Sequence, residues 1–440
     1  MFNKGLRVAV FGIAITLASC NNKKPPLPPD EGLVQRLNAT LTEAIVHDGF
    51  PPPVASRIYA YCHVAGYESV YYTDSSLRSL SGQLNGLSLN EEAPEQLKKL
   101  NRDVVLVTAF CNTAVDFVYR DFILEQFRDS MLKVYKPCLE EDVYNNSIKY
   151  GQDLAKQIVK WSSKDGYKET RDMPRYRPKE TPGTWAPTLP TMGDALEPYW
   201  GTLRPFVLDS PGMFKVKDQP LFTTDKNSDY YKDVVNTMTV CSNADKEKAR
   251  IALFWDCNPQ KTIVKGHLMY NIRQLTPGGH WMGITGTACL MKHLSVPRTE
   301  EAYALASLGV ADGFINTWHE KFRTDRIRPE TYVNRYIDKL WRPMLETPLF
   351  PEHPSAHSTV SAAAAAVLTD RLGDNFTFID STELPFGQGT WEFHSFKEAA
   401  NQAAISRVYG GIHYSLGCNE GIILGEKIGK LVLERVKTKK

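Results

Sequence analysis

Three short segments in the C-terminal third hold residues that can grip a tetrahedral oxyanion and do chemistry on it. They read Lys321-x6-Arg328-Pro329, Pro354-Ser355-Ala356-His357 and Ser406-Arg407-x5-His413. Lys321, Arg328 and Arg407 supply cations, Ser355 a hydroxyl, Ala356 a backbone N–H, and His357 and His413 imidazoles. An arginine fork suits bidentate oxyanion contact, and lysine adds a flexible point charge. Imidazole can move protons, attack as a nucleophile or ligate a metal.

Such groups work only if larger elements bring them together. Good helix formers over residues 298–322 predict a helix ending near Lys321. Lys321 and Arg328 lie seven residues apart, so they share a face if that helix runs on, and Trp318 joins them. Asp312, nine residues before Lys321, falls on the opposite side. Ser355 precedes an Ala-rich run and reads as an N-cap, so the amides of Ala356 and His357 point at an anion. Arg407 and His413 do not share a regular helical face, and Gly410-Gly411 between them predicts a distortion or a helix boundary. Each segment alone also has a plainer reading: a solvated basic helix end, an ordinary cap with a surface histidine, and a core helix with one buried histidine.

Together and in this order, the segments resemble the type 2 phosphatidic acid phosphatase / vanadium haloperoxidase superfamily, whose pattern is K-x6-RP, PSGH and SR-x5-H-x3-D. The likeness is to its soluble bacterial haloperoxidase-like branch. Trp318 and Phe350 resemble residues on the halide side of that branch. Phe254-Trp255, Pro277-Gly278-Gly279-His280-Trp281, Pro198-Tyr199-Trp200 and Arg204-Pro205-Phe206 also look family-like. The resemblance covers most of the chain and is strongest from about residue 195. It implies an all-α helical bundle of that type, with an additional N-terminal helical layer. Two positions depart from the pattern. The family Gly is Ala356, which keeps its backbone N–H. The family Asp, four residues after the last His, is Gly417. That Asp would orient the imidazole, and Asn419 or Glu420 are candidate replacements.

The resemblance implies two reactions for one cradle. As a haloperoxidase, His413 ligates vanadium, Lys321, Arg328, Ser355, Ala356 and Arg407 hold vanadate, and His357 acts as acid–base while peroxide oxidises a halide. As a phosphatase without a cofactor, His413 is phosphorylated and His357 protonates the leaving alkoxide. A third reading is a non-catalytic oxyanion-binding lipoprotein. The partners are small molecules: peroxide and halide, or a phosphate ester. His280 is a further pocket candidate, and His353 either lines the pocket or flanks it.

The N-terminus is a second signal. Lys4 and Arg7 precede a short apolar run, Val8 to Leu17, and Leu17-Ala18-Ser19-Cys20 resembles a bacterial lipobox. Ten apolar residues are too few to span a bilayer. The expectation is a signal peptide over 1–20, lipidation at Cys20, a Pro-rich tether over 21–30, and an exported enzyme touching the membrane only through lipid. Seven other cysteines lack metal-type CxxC spacing, and a Cys241–Cys257 bridge is the one pairing expected.

The chain has 440 residues, 42% hydrophobic, enough for a large core. Its 52 basic and 50 acidic residues leave a net charge of +2, which gives no nucleic-acid signal. Helices are expected near 31–47, 53–73, 92–127, 139–163, 244–255, 298–322, 355–371, 395–409 and 419–436. Residues 31–164 are read as an N-terminal helical region and 216–440 as the site-bearing domain. Between them, 165–215 carries eight prolines and two tryptophans, and is read as a lid or a linker.

Overall fold

The computed structural model describes residues 24–90, 94–259 and 261–440. The expected leader, its lipobox Cys20 and the first tether residues lie outside the described residues.

The fold is a helical bundle built around one long buried helix, Val296–Thr324. Pro52–Val70 packs on one side of it and Ala356–Leu372 on another, with Ser415–Arg435 laid along Ala356–Leu372. Leu33–Asp48, Arg102–Val115, Asp121–Tyr135 and Glu141–Ser162 form the N-terminal layer. One apolar core runs through both parts, joining Ile58 and Phe110 to Leu305, Val360 and Phe396. Among the described residues, no helix is long and apolar enough to cross a membrane.

The closest helix contact follows from a row of small residues. Gly417, Gly421, Gly425 and Gly429 recur every fourth position on one face of Ser415–Arg435. A Cβ at Gly425 would lie 2.1 Å from the Thr359 carbonyl oxygen, and one at Gly421 would lie 2.6 Å from that of Ser355. Without side chains there, the two backbones touch, which seats the start of Ala356–Leu372 beside the start of its neighbour.

The Pro-rich segment lies along the long helix. Asp312 faces it and accepts the amides of Phe206, Val207 and Leu208 at 2.7, 2.7 and 3.0 Å. Trp185 is buried, its amide donates to the Asp325 carbonyl, and the Leu196 amide donates to that of Leu349.

Several expectations need correction. The helix expected over 92–127 is divided into Pro94–Leu97, Arg102–Val115 and Asp121–Tyr135. Asn101 is the reason for one break, since its side chain caps the Val104 amide at 3.0 Å. Asp229–Ser242, Pro277–Met291 and Pro329–Tyr336 are helices that were not expected. Pro277–Met291 is Gly-rich, but Thr276 caps it, and a Cβ at Gly286 would meet the Tyr303 hydroxyl at 2.4 Å. Two antiparallel hairpins, Lys261–Lys265 with Leu268–Ile272 and Phe378–Asp380 with Trp391–Phe393, are small additions. The Cys241–Cys257 bridge does not form. Cys241 accepts the Met344 amide, whereas Cys257 faces His280 and Glu383.

Candidate active site

Lys321 and Arg328 do not lie on one helix face. Val296–Thr324 stops at Asp325, which takes a left-handed φ of 48°. Pro329 disfavours a helical residue before it, so Arg328 is extended and opens Pro329–Tyr336. The turn between brings the two cations back to one site. Lys321 Nζ donates to the carbonyls of Pro351 and Glu352 at 2.8 and 2.9 Å. Arg328 donates through Nε to the Phe350 carbonyl at 2.9 Å and through Nη1 to that of Ile412 at 2.8 Å. Both cations lie 5.0 Å from the Phe350 ring centre, and Trp318 packs on Phe350 at 4.8 Å.

Ser355 caps Ala356–Leu372, accepting the Ser358 amide at 3.3 Å. Ala356 opens that helix without a positive φ, so its side chain costs nothing at the family's Gly position. His357 bonds to the Trp255 carbonyl, which also accepts Arg407. Its other nitrogen, Nε2, is buried with no partner.

The third segment turns as its glycines require. Phe396–Tyr409 ends at Gly410, and Gly411 adopts a left-handed φ of 77°. His413 then points back at the cradle, with Nε2 at 3.1 Å from Arg328 Nη1. Its Nδ1 lies 2.7 Å from Glu352 Oε1. A carboxylate accepts, so Nδ1 carries the proton and Nε2 keeps a lone pair facing the site.

Glu352 therefore fills the role sought in Asn419 or Glu420. Glu420 instead accepts the Lys217 amide at 3.0 Å. Gly417 makes the exchange possible, because a Cβ there would lie 2.3 Å from Glu352 Oε1. Gln219 holds the second oxygen of Glu352 at 2.8 Å.

Electrostatically, the cradle is a buried positive hole. Burial, then Arg328, depresses Lys321 well below its ordinary pKa. Burial likewise brings Arg328 down to about 10, and lowers Arg407. His413 is held well below the usual imidazole range by burial and the three cations, and His357 by burial, Arg407 and His280. Burial raises Glu352 against the pull of Arg328 and Lys321.

A cavity of about 130 Å³ opens onto the cradle, walled by Phe314, Trp318, Phe350, Ala356, His357 and Arg407. Leu196 of the Pro-rich segment completes the wall. His280, expected in the pocket, sits behind it. Its imidazole is buried, stacks on Trp255 at 4.4 Å, and is covered by Cys257, which does line the cavity. His353 flanks the site, facing the Lys217 carbonyl at 2.9 Å and Gln219 at 3.0 Å. Glu352 and the Trp255 carbonyl were missed in the sequence. The signal for Glu352 was the glycine at 417, since a missing acid calls for another nearby.

Fold and site together define a helical bundle with buried cations gathered beside a cavity. The VCPO second helical-bundle domain matches residues 301–439. A solved bacterial vanadium-dependent iodoperoxidase is 39% identical, covers 95% of this chain and 99% of its own, and superposes with a TM-score of 0.89. The apo and holo structures of a bacterial vanadium-dependent chloroperoxidase share the fold, each with a TM-score of 0.66 and 15% and 16% identity. They cover 88% and 95% of this chain and 94% and 98% of their own. No curated protein matches. This chain belongs to the vanadium-dependent haloperoxidase family.

Proposed function

We propose that this chain oxidises iodide with hydrogen peroxide at a vanadate bound in the cradle. The carrying observation is a buried set of three cations with two polar atoms, Arg328 Nη2 and His357 Nε2, that have no protein partner. An unmet buried donor, Arg328 Nη2, among crowded cations fits an anion, and the His357 Nε2 lone pair, with Nδ1–H given to the Trp255 carbonyl, accepts from a protonated oxygen of it. An oxyanion there offsets both the mutual repulsion and the missing hydrogen bonds. Depression of the His413 pKa keeps the ring neutral, and its Nε2 lone pair, which accepts from Arg328 Nη1 at 3.1 Å, would ligate vanadium once Arg328 turns that donor to the oxyanion.

When bound, vanadate supplies the two-electron oxidation of halide by peroxide. His413 would hold the metal, while Lys321, Arg328, Arg407, Ser355 and the Ala356 amide would hold its oxygens. Lys321 keeps a donor beyond its two carbonyl bonds for this purpose. Neutral His357 can take a proton at Nε2 from an incoming peroxide and return it to the departing oxygen. Glu352 keeps His413 in the required tautomer. The aromatic wall favours iodide, whose large radius makes its desolvation the least costly among the common halides. The 39%-identical relative, itself an iodoperoxidase, supports the same choice.

The test is iodide and bromide oxidation by the full chain loaded with orthovanadate and given peroxide, with phosphate-ester hydrolysis measured alongside. Iodide turnover that needs vanadate and is lost in His413→Ala supports the reading. A protein that binds vanadate yet turns over neither halide would sink it.

A further inference from the structure

Behind the cavity wall, Cys257, His280 and Glu383 bring a thiol, an imidazole and a carboxylate together from three separate segments. All three are buried. Cys257 Sγ lies 3.4 Å from His280 Nδ1 and 3.4 Å from Glu383 Oε1, and His280 Nδ1 lies 3.2 Å from Glu383 Oε1. Zinc bonds of about 2.0 Å to nitrogen or oxygen and about 2.3 Å to sulfur place tetrahedral ligands roughly 3.3–3.6 Å apart. The observed triangle therefore has close to the size that one four-coordinate ion requires.

Two further observations point the same way. The other nitrogen of His280 is 2.6 Å from Asp380 Oδ2, the carboxylate–imidazole arrangement that orients a metal-bound histidine. Cys257 is also one of the few non-glycine residues with a positive φ, 43°, so its backbone is bent to present the thiol inward. Two carboxylates and a thiol around one imidazole make a buried cluster rich in groups that become anionic.

We infer that Cys257, His280 and Glu383 form a binding site for a divalent cation of the zinc type, separate from the vanadate cradle, with Asp380 orienting His280. Coordination exchanges the thiol proton and the Nδ1 proton for the cation, and both protons leave to solvent. Three protein donors leave a fourth position for water. The ion would cross-link the cavity wall at Cys257 to Pro277–Met291 and to the loop after Phe378–Asp380. Through the stacked ring of Trp255 it would also brace the carbonyl that anchors His357 and Arg407.

The experiment is titration of the full chain, stripped with chelator, with Co²⁺ alone. The expected result is about one tightly held ion per chain, with a thiolate-to-cobalt charge-transfer band and the intense visible bands of four-coordination, displaced by Zn²⁺. Glu383→Gln should weaken binding by roughly 10-fold or more. Cys257→Ser should remove the charge-transfer band, while His413→Ala in the cradle should keep it. Absence of the band from the unmodified chain overturns the proposal, so its test survives a failure of either wall variant to fold. A band that persists in folded Cys257→Ser, or disappears in His413→Ala, overturns it equally.

Discussion

At the scale of single residues, function turns on how Glu352 and the three cations set the state of His413. Glu352→Gln keeps the shape but replaces the acceptor that fixes the tautomer. Loss of such an orienting carboxylate typically costs about 10–100-fold in metal affinity. Vanadate affinity, read by equilibrium dialysis, should fall by that amount while the unfolding midpoint changes little. An unchanged affinity would remove Glu352 from the site. The depressed histidines also set a pH dependence. His357 and His413 have folded pKa values below the ordinary 6.5. The unfolded chain therefore binds more protons as pH falls below about 6.5, and stability present above that value is lost on acidification. A bound oxyanion adds negative charge beside His357, raises its pKa and weakens its share of the loss, while a His413 ligated through Nε2 takes up no proton. Thermal unfolding from pH 8 to 5, with and without vanadate, should show the two curves separating towards acid. Parallel curves would contradict the assignment.

At the scale of elements, the site depends on a helix pair that meets backbone to backbone. Gly425→Val puts a branched side chain where even a Cβ would lie 2.1 Å from Thr359 O. Overpacking of this kind costs on the order of 3 kcal/mol, and urea unfolding should register it. Because the same contact seats Ser355 and His357, vanadate affinity should fall as well. A variant of normal stability would mean that the helices part without cost. The glycine repeat is present in the sequence, but helical propensity alone treats glycine as a weakness and so hides its packing role. Long amphipathic helices and the three motifs were legible, since composition and spacing carry them. Pro277–Met291 was not, because tertiary burial overrides its poor propensity. Nor was the path from Lys321 to Arg328: seven residues fit a helical face, but Pro329 ends the helix first. Glu352 was hidden for a different reason. Its partner lies 61 residues away, and no local spacing records that distance.

At the scale of the whole molecule, the Pro-rich segment, the N-terminal layer and the bundle share a buried core, and Lys321, Arg328 and Arg407 are buried with it. On the proposed function, that burial would make three neighbouring cations strong anion binders instead of solvated charges. We propose that the lipobox-like run at the N-terminus sets where the molecule works. A chain carrying the lipobox-like run should incorporate a labelled fatty acid in a bacterial host and partition with membranes. Cys20→Ser should abolish the label and release an active soluble enzyme. Label retained in that variant would rule out Cys20 as the attachment point.

The close fit between Gly417 and Glu352 also constrains how this sequence can change. An aspartate introduced at 417 alone drives a second carboxylate into occupied space, and Glu352→Ala alone leaves the imidazole unheld. Either step is harmful, yet Glu352→Ala with Gly417→Asp rebuilds the pair from the opposite strand of sequence. The two positions should therefore be energetically coupled. The double variant should outperform both single ones in vanadate affinity, a coupling that a double-mutant cycle measures directly. Lineages with the acid at one position would then be barred from moving it to the other by single substitutions, although both arrangements put the same charge in the same place.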